Sequence, residues 1–156
     1  MSRGAILGLS FGMKKSGHTK SNKALAKVAE RVFYKKGLLV ILQKELAECV
    51  DFPPSLVIKE HRIKGQHLDS DEVIAQAAEF MKLHKIDTVW LVAQPFLHRP
   101  QCRTLLKNYG FRVRIPKTGR IPFDEDSLQW WTRGPLRTLT YAILQKFTGR
   151  KGHKGH

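Results

Sequence analysis

Cysteine is scarce in this chain of 156 residues, with Cys49 and Cys102 standing alone. There is no C-x-x-C pair and no histidine or cysteine at ligand spacing nearby, which argues against a disulfide-stapled scaffold, a redox dithiol or a structural zinc site. Both cysteines fall in segments that read as helical, so reduced, buried thiols in a cytoplasmic protein are expected. Long apolar runs are missing too. Nothing approaches the ~20 uninterrupted apolar residues of a membrane span, and Met1-Ser2-Arg3 leads straight into a short segment containing glycines. Neither a transmembrane segment nor a secretory signal is expected. Acidic side chains are few: 13 Asp and Glu against 28 Lys and Arg give a formal net charge of +15. That balance says nothing about fold, but it favours polyanions as partners, whether nucleic acid, an anionic membrane surface or a phosphorylated ligand.

What is present is enough apolar material, 42% of residues, for one ordinary core. Residues 1–148 are expected to form a single α/β domain, and residues 149–156, with no apolar residue, a flexible basic tail. Residues 5–9 are apolar on both faces, the pattern of a central parallel strand covered by helices on each side. Residues 38–42, 56–58, 89–92 and 111–115 repeat it. Between them lie helical patterns: Leu25, Val28 and Val32 before Gly37; a short helix over 44–49 ahead of Pro53-Pro54; and a stripe of Val73, Ile74, Ala77, Ala78 and Met81. Asp69 and Glu72 have capping-box spacing at the start of that stripe. Another helix carries Cys102, Leu105, Leu106 and Tyr109, with Pro100 in its first turn and Gly110 at its end. This alternation predicts a Rossmann-like three-layer domain with a mainly parallel sheet of about five strands. After an irregular stretch, a C-terminal helix over 135–147 shows Leu136, Leu139, Ile143 and Phe147 on one face, expected to pack on the sheet.

Ligands of open α/β sheets bind beyond the carboxyl ends of the strands, so the loops after the first, second and fourth strands hold the candidates. In the first, Ser10 and Gly12 precede a helix N-terminus and Lys23, a combination that can surround an anion with backbone N–H groups and positive charge. Its spacing is neither G-x-G-x-x-G nor a Walker loop. Gln43 and Glu45 follow the second strand, and Gln94, His98 and Arg99 the fourth. His98 is a candidate proton donor or anion ligand, with Asp69 as a base or orienting carboxylate and Ser70 as a ligand-binding hydroxyl. Each has a plainer reading: solvated loop, structural histidine, helix cap. Trp130-Trp131 with Arg133 and Arg137 reads as a base-stacking clamp, as an amphipathic basic helix for a membrane surface, or as helix packing.

Taken together, Ala5-Ile6-Leu7-Gly8, the Leu68-Asp69-Ser70 step leading an Ala-rich helix, and Val92-Ala93-Gln94-Pro95-Phe96-Leu97-His98 resemble the SanA/YdcF/ElyC-like domain-of-unknown-function family over roughly residues 4–115. The resemblance implies a Rossmann-like sheet with a pocket at the strand ends, in a family whose members are tied to envelope processes or to binding a nucleotide-like ligand. Of the family's pattern, His98, Asp69, Ser70 and the first-loop backbone carry over. The family's Ser-Gly after the second strand stands here as Gln43-Lys44, the arginine opening its first helix is absent, and the arginine three residues past its histidine is Gln101. Lys23, Arg99 and Arg103 are the candidate replacements. No membrane anchor like that of envelope members is expected.

Two functions follow: binding of a small anionic or nucleotide-like molecule at the strand ends, or nonenzymatic binding of nucleic acid or an anionic surface through the basic residues and tail. No motif implies a cofactor or a metal, and no nucleophile–base pair assembles from spacing alone, so no reaction is assigned.

Overall fold

The computed structural model describes residues 3–14, 16–125 and 127–145. Its strands are Gly4–Gly8 (β1), Leu39–Gln43 (β2), Leu56–Ile58 (β3), Thr88–Val92 (β4) and Arg112–Arg114 (β5). Between them run helices Lys20–Lys36 (α1), Lys44–Ala47 (α2), Ser70–Leu83 (α3) and His98–Asn108 (α4); a 3-10 turn at Trp130–Thr132 and helix Pro135–Leu144 (α5) follow. The sheet order is β3-β2-β1-β4-β5 and every pairing is parallel, the Rossmann-like α/β arrangement.

The two-sided apolar strands explain the layers. Successive side chains of a strand point to opposite faces. Ala5 and Leu7 of β1, Ile41 of β2, and Val89 and Leu91 of β4 therefore enter one core, under α3 and α4. Ile6, Val40, Leu42 and Val92 enter the other, under α1 and α2. Leu7 and Ile74 are both wholly buried. Truncating either to alanine would cost about 2–5 kcal/mol.

β1 is central. The chain leaves it through α1 toward β2 and β3, then crosses back through α3 to β4 on its other side. Helix direction thus reverses between β1 and β4, and the loops after these two strands diverge to leave a crevice at the sheet's carboxyl edge.

Helix α4 opens at His98, which places Pro100 in its first turn as its position suggested. A tight turn centred on Leu97 precedes it, whose φ of 62° is left-handed, with the His98 N–H donating to Phe96 O at 2.7 Å and the Arg99 N–H donating to Gln94 O at 2.9 Å. Contrary to expectation, the apolar face of α5 does not pack on the sheet: Leu136 is 74% exposed, and Leu139 and Ile143 are exposed as well. The helix instead turns Thr138 inward and stacks Tyr141 on Trp131, ring centroids 4.4 Å apart. Phe147 and the tail at 149–156 lie outside the described residues.

Candidate functional site

At the ends of β1 and β2, Gln43 and Glu45 bind the chain itself. The Ser10 N–H donates to Gln43 Oε1 at 3.0 Å, and the Ser10 hydroxyl donates to Glu45 Oε1, also at 3.0 Å. The Gln43 amide reaches the same carboxylate oxygen at 3.4 Å. These three predicted residues do assemble, as a mutually satisfied cluster that fixes the start of the first loop.

The N-termini of α3 and α4 meet on the other face. Asp69 is the N-cap of α3, its Oδ1 accepting the Glu72 N–H at 2.9 Å, the role its spacing foretold. The reciprocal half of the capping box is not made. Glu72 instead accepts from the Arg62 backbone, the Arg62 guanidinium and the Gln76 amide. Burial would raise the Glu72 carboxyl, but these donors outweigh it and hold it down at about 2.

With Asp69 taking the cap, Ser70 is free to turn toward α4, where its Oγ lies 3.0 Å from His98 Nε2. Spacing alone could not pair these residues, because they start different helices. His98 Nδ1 is sealed from solvent and has no partner among the described residues, while the ring packs on Phe11 at 5.6 Å. Burial pushes the imidazole down to about 4, so it is neutral at pH 7. A neutral ring has one N–H. Carried on Nε2, it donates to Ser70 and leaves Nδ1 only a lone pair, which costs less than a buried, unpaired N–H. The Ser70 hydroxyl is then free to donate to the sulfur of Cys102, one turn along α4 from His98, whose thiol burial pushes up to about 12. In this arrangement Ser70 is not deprotonated by His98; the relay ties the two helix starts together.

Sequence reasoning missed the role of the segment after β5, which returns across the strand ends. Asp124, 3% exposed, accepts the Lys20 N–H at 3.0 Å and lies 3.8 Å from Lys14 Nζ. The α1 N-terminus, read as an anion site, therefore holds an anion supplied by the chain itself. Ser127 secures the first loop by accepting the Met13 N–H at 3.0 Å, and the Leu128 N–H donates to Met13 O at 2.6 Å. Gly12, at φ +86°, fits beneath because a Cβ there would come within 2.8 Å of both Ser127 Oγ and Thr132 Oγ1. Residues 121–125 and 127–134 thus form a roof over the edge, and Gly12 serves its packing. The only forewarning in the sequence was the acidic cluster at 124–126.

Between this roof and the β4–α4 loop lies a cavity of about 680 Å³. Gln94 lines it with Phe96, Arg120, Phe123, Glu125 and Arg133. The Gln94 side chain accepts the Phe96 N–H at 2.6 Å, and Phe96 meets Phe123 edge-on at 6.2 Å. Arg133 is held by donating from Nε to Ser127 O at 2.7 Å. Arg99 points elsewhere, lining a separate cavity with Arg103 and Lys107, and Lys23 lies exposed on α1. The candidate replacements for the missing family arginines therefore do not converge on one position. Among the described residues, no group of three or more histidine, cysteine, aspartate or glutamate side chains could hold a metal ion, and no helix is long and apolar enough to cross a membrane.

No protein-family model matches this chain. No curated protein matches it either. Among solved structures, a variant of the Rhizobium etli pyruvate carboxylase with its allosteric activator acetyl coenzyme A aligns at a TM-score of 0.41 and 12% identity, covering 72% of this chain and 11% of that one. The complete multifunctional pyruvate carboxylase from Rhizobium etli aligns at 0.40, also at 12% identity, over 72% and 10%. The chain spans about a tenth of the length of these enzymes.

Proposed function

We propose that the protein binds a small anionic, nucleotide-like molecule in the cavity between the β4–α4 loop and the roof. The observation that carries this reading is the lining: two aromatic rings, Phe96 and Phe123, and two guanidinium groups, Arg120 and Arg133, share the cavity with Gln94 and Glu125 beside the carboxyl end of β4. Planar rings pack against phenyl faces, and guanidinium groups pair with phosphate oxygens through a rigid fork. The α1 N-terminus is excluded as the phosphate seat because Asp124 fills it. The pairing of Ser70 with His98 supports placing the chain near the SanA/YdcF/ElyC-like family, since the two segments most distinctive of that resemblance meet there. No reaction is assigned; the reading is one of binding.

Isothermal titration calorimetry against nucleoside mono-, di- and triphosphates and phosphosugars tests this. At least one nucleotide should bind, with affinity reduced about tenfold or more in Arg133→Gln, as expected when one charge-assisted hydrogen bond is removed. Binding unaltered in both Arg133→Gln and Phe96→Ala, or no binding across the panel, overturns the reading.

A further inference from the structure

Residues 88–123 contain no aspartate or glutamate but seven lysines and arginines. The fold gathers five of them at one edge of the sheet. Arg99, Arg103 and Lys107 recur every four residues along α4 and together line a cavity of about 520 Å³ with Thr104 and Ile115. β5 is the edge strand, and Arg112 and Arg114 project exposed from it on the opposite face, because Val113 between them packs into the α3–α4 core. None of these five cations forms an ion pair with a described residue.

We propose that this α4–β5 edge is a binding surface for the phosphodiester backbone of RNA, separate from the cavity under the roof. Cations on an edge strand commonly guard it against pairing with another chain. Arg112 and Arg114 suffice for that, and the ridge on α4 stands a helix away from the edge. Four residues of helix rise about 6 Å, so the ridge presents charges at steps comparable to successive phosphates on one strand. Arginine dominates the set, as suits bidentate pairing with phosphate. A membrane surface fits less well. An interfacial helix needs apolar side chains beside its cations, and this molecule exposes its leucines on α5 instead.

Fluorescence anisotropy of a labelled oligo(U) RNA over a salt series tests the surface, using the full chain. Binding should weaken steeply with salt. In Arg99→Gln/Arg103→Gln/Lys107→Gln the slope of log K against log salt should shrink by about 2, at about 0.7 for each phosphate of a single strand that the variant no longer neutralises. The control variant Lys27→Gln/Lys59→Gln/Lys64→Gln removes the same charge from exposed positions elsewhere and should keep the wild-type slope. All the replaced side chains reach solvent, so both variants should melt like the parent. Equal losses in the two variants would mean that net charge alone acts. Loss only on deleting residues 149–156 would place the binding in the tail, and tighter binding to phosphatidylglycerol vesicles or polyglutamate than to RNA would name another partner. Each of these results, like an absence of binding at low salt, overturns the proposal.

Discussion

The half-buried His98, its ring enclosed between Phe11 and Ser70, should make the protein's stability fall with mild acid. Its imidazole is pushed from 6.5 to about 4 by burial, so in that window the unfolded chain binds a proton that the folded chain refuses. The sign follows from linkage: where the unfolded state binds more protons, stability rises with pH, so this contribution is whole above pH 6.5 and is lost as pH falls toward 4. At 1.36 kcal/mol for each tenfold change in proton affinity, the full difference is worth about 3 kcal/mol, and about 2 kcal/mol of it is gone by pH 5. Urea unfolding at pH 7 and pH 5 measures it. His98→Gln keeps an amide donor for Ser70 but cannot titrate, and its stability should change far less between the two pH values. Ser70→Ala retains the imidazole and should keep the dependence, and an NMR titration of His98 locates the proton directly. A wild-type loss below about 0.5 kcal/mol, or an equal loss in His98→Gln, would refute the reasoning.

The roof makes two further predictions. Asp124→Ala removes the carboxylate from the α1 N-terminus and from Lys14, and urea unfolding should show a loss of about 1–2 kcal/mol. Gly12→Ala should destabilise by more than about 1 kcal/mol in the same assay, since it combines a left-handed φ with a Cβ pressed on Ser127 and Thr132. The thiols should also divide. Cys49 is half-buried, whereas Cys102 is fully enclosed and its thiolate strongly disfavoured. Ellman's reagent should therefore titrate one thiol in the native protein and the second only after denaturation.

Much of the architecture was legible in the sequence because its signals are local. Doubly apolar runs such as Ala5-Ile6-Leu7 can be satisfied only between two helix layers, and Asp69 and Gly37 mark helix ends through bonds to residues three or four positions away. Those features determined the element order, the parallel sheet and the edge at which polar residues gather. Strand order, the pairing of Ser70 with His98 and the seating of Asp124 on the α1 N-terminus were decided only by tertiary structure. The last joins residues 104 positions apart, and no periodicity encodes which distant carboxylate will reach a given helix end. The apolar face of α5 was misread for the same reason: spacing shows that a face exists, but what covers it depends on where the preceding turn aims the helix. The sequence thus located the edge of the sheet where function was to be sought. The folded chain filled part of that edge with its own roof and left open the aromatic and cationic cavity beside it, because Asp124 and Ser127 bind the first loop where a ligand was expected.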